Sequence, residues 1–369
     1  MNILRIVHVG LVSVVLCGAV SSAEPVHVVA EGSIANPRQP QAAIDEAGTV
    51  YVAFGAGDTV YCTKSTDRAK TFGNAIKVGS LPKLALGMRR GPRIVVRGDT
   101  VVVTAISHES GNLAAWRSTD AGETWQDPVT VNDSPTAARE GLHAMAIGPA
   151  GETYCTWLDM RNSGTALFGA VSRDGGKTWS ANRQIYSSPD GSICECCHPA
   201  VAFDAKGTLY VMWRNSVGGF RDLFGAVSRD GGKTFGAGAQ MGAGNWKLDG
   251  CPMDGGWLAS TTTGKVTSVW RRNTEIFRTD TGRGGEQLLG SGEQPWVAGT
   301  SAGAYVVWLS KRNGDLWLAA PKSRQPLKLA GGATDPVIVA PANGKGPVVA
   351  VWEAGPRGST SIMAAVVGE

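Results

Sequence analysis

The sequence predicts an all-β fold, and its composition, its periodicity and its internal repeats all indicate this class. The 369 residues include 50 glycines and 12 tryptophans. Apolar residues alternate along short runs bounded by turn-forming residues and do not recur at helical spacing, which predicts many short strands joined by tight turns. Because long all-β chains often form a single domain, we expect one domain over residues 24–369.

A repeated unit predicts how these strands are arranged. Each copy has an alternating strand, usually opened by a proline, then a Gly-centred turn and a second strand that often ends in Trp. Seven copies begin 41 to 55 residues apart, at Gln39, Gly91, His143, His198, Cys251, Gln294 and Asp335. Such a unit holds four short strands. The last copy is short and the segment before Gln39 can complete it, so we expect a β-propeller closed by its N-terminal strand. Seven four-stranded blades are favoured, with six as the alternative.

A second motif, Ser-x-Asp-x-Gly-x-Thr-aromatic, occurs in four of the units. The copies are STDRAKTF at Ser65, STDAGETW at Ser118, SRDGGKTW at Ser172 and SRDGGKTF at Ser228. They resemble the Asp boxes, or BNR repeats, of the sialidase-like superfamily. The resemblance implies a propeller whose Asp boxes join the third and fourth strands, at the face opposite the ligand site. The motif aspartates are expected to be structural, each bound to its own turn: Asp67, Asp120, Asp174 and Asp230.

The same resemblance implies what a sialidase would require. Its parts are three arginines that clamp a carboxylate, an acid, and a nucleophilic Tyr assisted by a Glu. Arg38-Gln39-Pro40 matches the first arginine motif, and Arg214 and Arg271 are weaker catalytic candidates because they follow second strands. No Tyr–Glu pair stands out. The superfamily therefore predicts the fold, and a sialidase-type hydrolase or a glycan-binding propeller is the alternative function.

The first 23 residues are typical of a secretory signal peptide. Arg5 precedes an apolar run that ends in the small residues Ser21, Ser22 and Ala23. No other run reaches the ~20 apolar residues of a membrane span. We therefore expect an exported protein, periplasmic or extracellular, that begins near Glu24. The formal net charge is +4 without a basic run, so nucleic acid is not an expected partner.

The run CECCH, from Cys194 to His198, is the densest chemical signal in the chain. It leads into the fourth unit, and Cys251 holds the equivalent position in the fifth, so adjacent blades are expected to bring these residues together. Closely spaced thiolates with imidazole favour Cu(I) or Zn(II). We expect a metal site, redox-active if it holds copper, at the mouth of the central channel. Its expected ligands are Cys194, Cys196, Cys197, His198 and Cys251.

Other interpretations of these cysteines remain open. Six cysteines are left once Cys17 is removed with the signal peptide, and in an exported protein they could form disulfides. A disulfide-stapled rim would suit a scaffold for protein partners. A reactive thiol beside His198 is another interpretation. Cys194-x-x-Cys197-His198 also fits the attachment pattern of haem c, which we disfavour because neither a helix nor an obvious distal ligand accompanies it.

Further ligand candidates follow from propeller geometry, since loops into first strands and out of second strands share one face. These candidates are His108, His143, Asp159, Trp213, Met253 and Asp254. A small molecule, a glycan or a metal ion at the channel mouth is the expected partner. Cys62 and Cys155 lie inside strand patterns and are expected to be buried free thiols.

Overall fold

The computed structural model describes residues 24–282 and 285–369, and the expected signal peptide lies outside the described residues. The regular structure of the described part consists of 27 β-strands. The first, β1 (Val26–His27), stands apart from the blade that follows it in the chain. Within the described residues there is no helix long and apolar enough to cross a membrane.

The first five blades are antiparallel sheets of four strands, in chain order from the channel outward. Blade 1 contains β2 (Arg38–Ile44), β3 (Val50–Ala56), β4 (Thr59–Ser65) and β5 (Ile76–Ser80). Blade 2 contains β6 (Arg93–Arg97), β7 (Thr100–Ile106), β8 (Leu113–Ser118) and β9 (Val129–Thr130). Blade 3 contains β10 (His143–Ile147), β11 (Thr153–Asp159), β12 (Ala166–Ser172) and β13 (Arg183–Tyr186). Blade 4 contains β14 (Ala200–Phe203), β15 (Leu209–Arg214), β16 (Leu223–Ser228) and β17 (Ala239–Gln240). Blade 5 contains β18 (Trp257–Ser260), β19 (Val266–Arg272), β20 (Glu275–Asp280) and β21 (Gln287–Ser291).

Blades 6 and 7 share one long strand. Blade 6 contains β22 (Glu293–Gly299), β23 (Ala304–Leu309), β24 (Gly314–Ala319) and the first half of β25 (Leu327–Val339). The second half of β25 begins blade 7, followed by β26 (Val348–Ala354) and β27 (Ser361–Gly368). Hydrogen bonds therefore join seven strands into one sheet. The innermost strands β2, β6, β10, β14, β18, β22 and β25 contact one another in cyclic order, with β25 against β2. The predicted seven-bladed propeller is confirmed.

The N-terminal strand closes the ring, as the length of the last repeat predicts. β1 pairs antiparallel with β27, with Val26 opposite Ala364. One residue further, the amide of Val28 donates to the carbonyl of Ile362 at 2.8 Å. The side chains of Val28 and Val29 are buried in the core of this blade. Both ends of the chain therefore build blade 7.

Aromatic side chains fill the spaces between blades. The tryptophans near the ends of second strands are all buried, namely Trp157, Trp213, Trp270, Trp308 and Trp352. The Asp-box aromatics pack between neighbouring blades, and the ring of Phe235 in blade 4 lies 6.1 Å from that of Tyr154 in blade 3. Edge-to-face pairs of this kind stabilise a core beyond their buried area.

The four Asp-box aspartates lie in the turns between third and fourth strands. Asp120 accepts hydrogen bonds from the Ser118 hydroxyl, the Thr124 amide and the Thr124 hydroxyl at 2.7, 2.9 and 2.5 Å. The hydroxyl of Thr124 and then its amide lower the pKa of Asp120 to about 2. Asp67, Asp174 and Asp230 accept the same three hydrogen bonds, each from the equivalent Ser hydroxyl, Thr amide and Thr hydroxyl of its own motif. Each carboxylate is thus committed to its own turn.

Candidate functional site

Three thiols meet in the loop between β13 and β14, at the face opposite the Asp boxes. The Sγ atom of Cys194 lies 3.7 Å from that of Cys196 and 3.5 Å from that of Cys197, and the last two are 3.9 Å apart. Cys194 and Cys197 are buried, whereas Cys196 is partly exposed. The amide of Cys194 donates to the carbonyl of Arg214 at 3.1 Å, which fixes the loop to β15. Blade 4 therefore supports this thiol cluster.

Cys251 reaches the thiol cluster from blade 5. Its thiol is exposed, and partial burial together with the neighbouring Cys196 thiol raises the pKa of Cys251 to about 11. The three clustered sulfurs lie within 4.8 Å of one another. Among residues 24–282 and 285–369, no other set of three or more Cys, His, Asp or Glu side chains brings its potential metal-ligand atoms this close together. Cys251 is outside that group. A fourth sulfur ligand would require its loop to move closer.

The protons of the thiol cluster are unevenly shared. Hydrogen bonding with the Cys196 and Cys197 thiols holds the pKa of Cys194 well below its usual range, and the charge of Arg214 acts in the same direction. Burial raises the pKa of Cys197, and its hydrogen bond to Cys194 adds to that rise. The two opposite directions belong to one coupled system, in which Cys194 gives up its proton more readily than Cys197. A cation bound there would displace the remaining thiol protons.

His198 does not join the thiols, although its place in the CECCH run predicts it as a ligand. Its Nδ1 accepts a hydrogen bond from the amide of Gly255 at 3.3 Å, and its ring stacks on Trp296 with centroids 5.7 Å apart. The imidazole is 1% exposed and lies inside the channel, because the backbone straightens after the Cys197 turn and directs the next side chain inward. The haem c pattern therefore lacks its axial ligand in this conformation.

His198 belongs to a plug that closes the channel beneath the thiol cluster. We define this plug as Arg89, Arg93, His198, Trp257 and Trp296. The two indole rings stack with centroids 3.7 Å apart, and the guanidinium of Arg89 lies 4.7 Å from the centre of the Trp296 ring. The hydrogen bonds of both arginines go to backbone carbonyl groups. The cysteine-bearing face and the interior of the channel are thus separated by a layer of stacked rings and cations.

A chain of buried polar side chains runs beside the plug. The Gln39 side chain donates to Asp335 at 2.5 Å, and that of Gln294 donates to the other oxygen of Asp335 at 3.1 Å. The amide of Gln294 donates to Asp254 at 2.6 Å. Gln39, Gln294 and Asp335 adopt positive φ angles of 56°, 56° and 47°, each at an irregular pairing ahead of a proline. Asp254, expected on the ligand face, instead bridges two blades.

Four further candidates are buried and do not face the mouth. Trp213 packs between blades 3 and 4, and the Nε2 atom of His143 lies 3.0 Å from the Thr104 hydroxyl. Asp159 accepts hydrogen bonds from Trp157 and Arg161. Arg214 donates to three backbone carbonyls, those of Asp254, Arg221 and Arg271. These four residues lie at or near strand ends, where contacts within their own blade and with neighbouring blades bury their side chains.

The remaining candidates lie at or near the surface. His108 is exposed and Met253 is partly buried. Arg271 pairs with Glu293 at 3.1 Å, and the Nε atom of Arg38 lies 3.8 Å from a carboxylate oxygen of Glu353. In the described part of the chain, no tyrosine hydroxyl hydrogen-bonds with a glutamate. The Tyr186 hydroxyl instead accepts from Asn215 at 2.8 Å.

A cavity of about 520 Å³ fills the channel on the far side of the plug. The innermost strands of all seven blades line it, and it opens among the turns between first and second strands. Sequence reasoning missed this cavity because its apolar wall residues are indistinguishable from core residues in an alternating strand pattern.

Comparisons with known proteins agree with the repeats and the fold. Residues 98–330 match the family described as BNR repeat-like domain. A xyloglucanase from Paenibacillus sp. is 28% identical over a match covering 44% of this chain and only 16% of the xyloglucanase. Among solved structures, an ulvan lyase superimposes with a TM-score of 0.60 at 10% identity, covering 95% of this chain and 96% of the lyase. A Hadza microbial sialidase gives 0.51 at 12% identity, covering 90% of this chain and 66% of the sialidase. At such identities these two structures show a shared fold alone. Since the family match spans more than half of the sequence, the chain belongs to the BNR repeat-like domain family, a sialidase-like propeller built from Asp-box repeats.

Proposed function

We propose that this chain is an exported propeller that binds one soft metal ion, Cu(I) or Zn(II), through Cys194, Cys196 and Cys197. Cys251 would supply a fourth thiolate once its loop closes on the ion. With copper the site would be redox-active. The single observation that carries the proposal is the mutual spacing of the three sulfurs, 3.5 to 3.9 Å.

The spacing matches what one bound ion requires. Thiolates at about 2.3 Å from a tetrahedral Zn²⁺ lie about 3.8 Å from each other, the length of one edge of the tetrahedron. A disulfide would require about 2.05 Å between two of the sulfurs. The turn that holds the cysteines is fixed to β15, so little chain entropy is lost when an ion binds. Thiols in simple contact have a similar spacing, so the experiment must measure the metal itself.

The surroundings of the thiol cluster suit a soft cation. Two of the three sulfurs are buried, which protects them from water, while Cys196 and Cys251 face solvent and leave a route for the ion. Sulfur donors select Cu(I) and Zn(II) over hard cations such as Mg²⁺. No basic side chain donates a hydrogen bond to these sulfurs among the described residues, so a metal competes for their lone pairs only with the thiol protons of the cluster itself.

The test is metal binding by the reduced protein. Elemental analysis of protein purified from its native compartment, followed by competition with a chromophoric chelator, should give about one ion per chain. Cys196→Ser should lower the affinity at least a hundredfold, because serine lacks the soft donor and leaves an incomplete set of ligands. Cys155→Ser is the control: that thiol is buried in β11, remote from the thiol cluster, so its replacement should leave metal affinity unchanged.

The alternatives give different results in the same preparation. Mass spectrometry of unreduced protein that finds Cys251 linked to the cluster, with no metal, would overturn the proposal in favour of a disulfide-stapled rim. Breaking such a bridge would then cost about 2–5 kcal/mol of stability. A covalently attached chromophore that survives denaturation would indicate haem.

Glycan recognition at the same face is the second candidate, favoured by the placement of Arg38. Its guanidinium is partly exposed beside Glu353, on the face where the superfamily resemblance places the first arginine of a carboxylate clamp. The proteins with similar folds include a sialidase and an ulvan lyase, and the sequence relative is a xyloglucanase. The absence of a hydrogen-bonded Tyr–Glu pair among the described residues places this candidate behind metal binding.

A further inference from the structure

The thiol cluster has a buried side and an open side. Cys194 and Cys197 are each 1% exposed, whereas Cys196 is partly exposed and follows the exposed Glu195 in the turn. Of the three clustered sulfurs, that of Cys196 is therefore the first that a molecule arriving from solvent meets. An accessible thiol can attack the sulfur–sulfur bond of a disulfide, which a buried thiol cannot reach.

A second sulfur lies on the buried side of Cys196. The Sγ atom of Cys194 is 3.7 Å from that of Cys196. Two backbone hydrogen bonds hold this part of the loop. The amide of Ile193 donates to the carbonyl of Thr165 at 3.0 Å, and the next amide donates to the carbonyl of Arg214 at 3.1 Å. Reacting groups that are held in place behave as if each were present at a very high concentration. The Cys194 thiol is thus placed to attack a sulfur–sulfur bond formed at Cys196.

The other neighbouring thiols are less suited to that attack. Cys197 has its sulfur 3.9 Å from that of Cys196. A trans peptide keeps the Cα atoms of consecutive residues about 3.8 Å apart, whereas the Cα atoms of a disulfide are usually about 4.4–6.8 Å apart, so joining these two would strain the backbone. Cys251 lies outside the group of sulfurs within 4.8 Å of one another, on a loop that leads into blade 5, and has farther to move. Cys194 is therefore the preferred partner of Cys196.

We propose that the metal-free thiol cluster exchanges with small disulfides, with Cys196 as the nucleophile and Cys194 as the resolving thiol. In the first step the Cys196 thiolate attacks one sulfur of a disulfide RSSR. The S–S bond breaks, RS⁻ leaves with the electron pair and takes up the proton that Cys196 lost, and a Cys196–SR bond forms. In the second step the Cys194 thiolate attacks the sulfur of Cys196, and the second RS⁻ leaves and takes up the proton of Cys194. RSSR is reduced to two RSH and the two cysteines are oxidised to one disulfide, so no other oxidant is required.

The exposure of Cys196 sets the class of substrate. Cys194 attacks from the buried side, so the leaving RS⁻ departs toward solvent, opposite the attacking sulfur. Because Cys196 is only partly exposed, the substrate is a small disulfide without bulk next to its sulfurs. The exchange uses the same sulfurs as the proposed metal site but does not rest on metal binding. A bound ion would occupy both thiolates and block the exchange.

Glutathione disulfide is the probe, added to the full chain after reduction and chelation. Free thiols are alkylated in denaturant at successive times, and peptide mass spectrometry maps each cysteine. The wild type should end with a Cys194–Cys196 disulfide and an alkylated Cys197. Cys194→Ser should instead accumulate the mixed disulfide of Cys196 and glutathione, because the resolving thiol is missing. Cys197→Ser should still end in the Cys194–Cys196 disulfide. Mixed disulfide that accumulates in Cys197→Ser and not in Cys194→Ser, or a wild-type product that joins Cys196 to Cys251, would overturn the assignment.

Cys196→Ser keeps the test decisive if Cys194→Ser does not fold, because the replaced side chain is partly exposed. Oxidation of Cys194 should then be at least tenfold slower than in the wild type, since the entry thiol is gone. Cys155→Ser, buried in β11, is the control and should form the disulfide at the wild-type rate. Oxidation of Cys194 at the wild-type rate in Cys196→Ser, or a wild type whose clustered thiols all stay reduced, would refute the exchange.

The same preparation separates this inference from the proposed metal site. Reduced protein that binds no metal but still forms the Cys194–Cys196 disulfide would refute the metal site alone. Metal binding by a protein that does not react with glutathione disulfide in its metal-free form would refute the exchange alone.

Discussion

Deleting residues 24–29 should open the propeller. The deletion removes β1 and the two buried valines that follow it, Val28 and Val29. Burying a valine side chain contributes about 1.5–3 kcal/mol, and the hydrogen bond from the Val28 amide about 1 kcal/mol. The expected loss is therefore roughly 4–7 kcal/mol, an upper value because denatured chains already bury some apolar surface. Against a typical total of about 5–15 kcal/mol, this is a large share of the stability.

Urea unfolding followed by tryptophan fluorescence measures this loss, and size-exclusion chromatography shows a second effect. Without β1, the eight-residue strand β27 becomes an exposed edge, so aggregation and faster proteolysis are expected. Val26→Ser is the matched control: this residue lies on the same strand but is only partly buried, and the change should cost less than about 1 kcal/mol. An unfolding free energy for the deletion within about 1 kcal/mol of the full chain would refute the closure argument.

Two predictions concern the face around Arg38. Burial and the nearby Asp335 raise the pKa of Glu353 to about 7, while a glutamate in the unfolded chain titrates near 4.3. The folded state then binds more protons between these values, so stability should fall as pH rises from about 4.5 to about 7 and level off above. Glu353→Gln should flatten that part of a plot of urea midpoint against pH, and an unchanged slope would contradict the assignment. For hydrolysis, we expect no release of sialic acid from a fluorogenic substrate by the wild type, and no large effect of Arg38→Ala on folding. Release that disappears in Arg38→Ala would instead establish the sialidase alternative.

Much of the fold could be predicted because its determinants are local and repeated. Most units carry their own turn glycine, alternating strand and terminal tryptophan. The repeat unit that begins at Asp335 is too short for a whole blade, which predicted the closure that β1 and β27 provide. The shared strand β25 could not be foreseen. Its sequence LKLAGGATDPVIV contains the glycines and proline of a blade boundary, yet hydrogen bonding continues through them from one blade to the next.

The site was predicted in part, and the difference lies in how side chains are directed at strand ends. Sequence position predicted Cys251 beside the cysteine run, because equivalent loops of adjacent blades are neighbours; its thiol lies near enough to Cys196 to feel its charge, but outside the three-sulfur group. It could not tell whether a residue at such a loop points outward or inward. His143 and His198 both point inward. Arg214 donates hydrogen bonds to three backbone carbonyl groups, whose positions depend on blades 4 and 5 together.

The run from Cys194 to His198 shows why residue spacing overcounts ligands. The turn at Glu195 and Cys196 curls three sulfurs around one point, which an extended segment cannot do. Where the chain straightens to begin β14, the side chain of His198 turns away from the sulfurs and stacks in the plug. Consecutive residues of one short motif therefore serve two different structures: the thiols form the cluster at the outer face, and the imidazole is part of the plug beneath it.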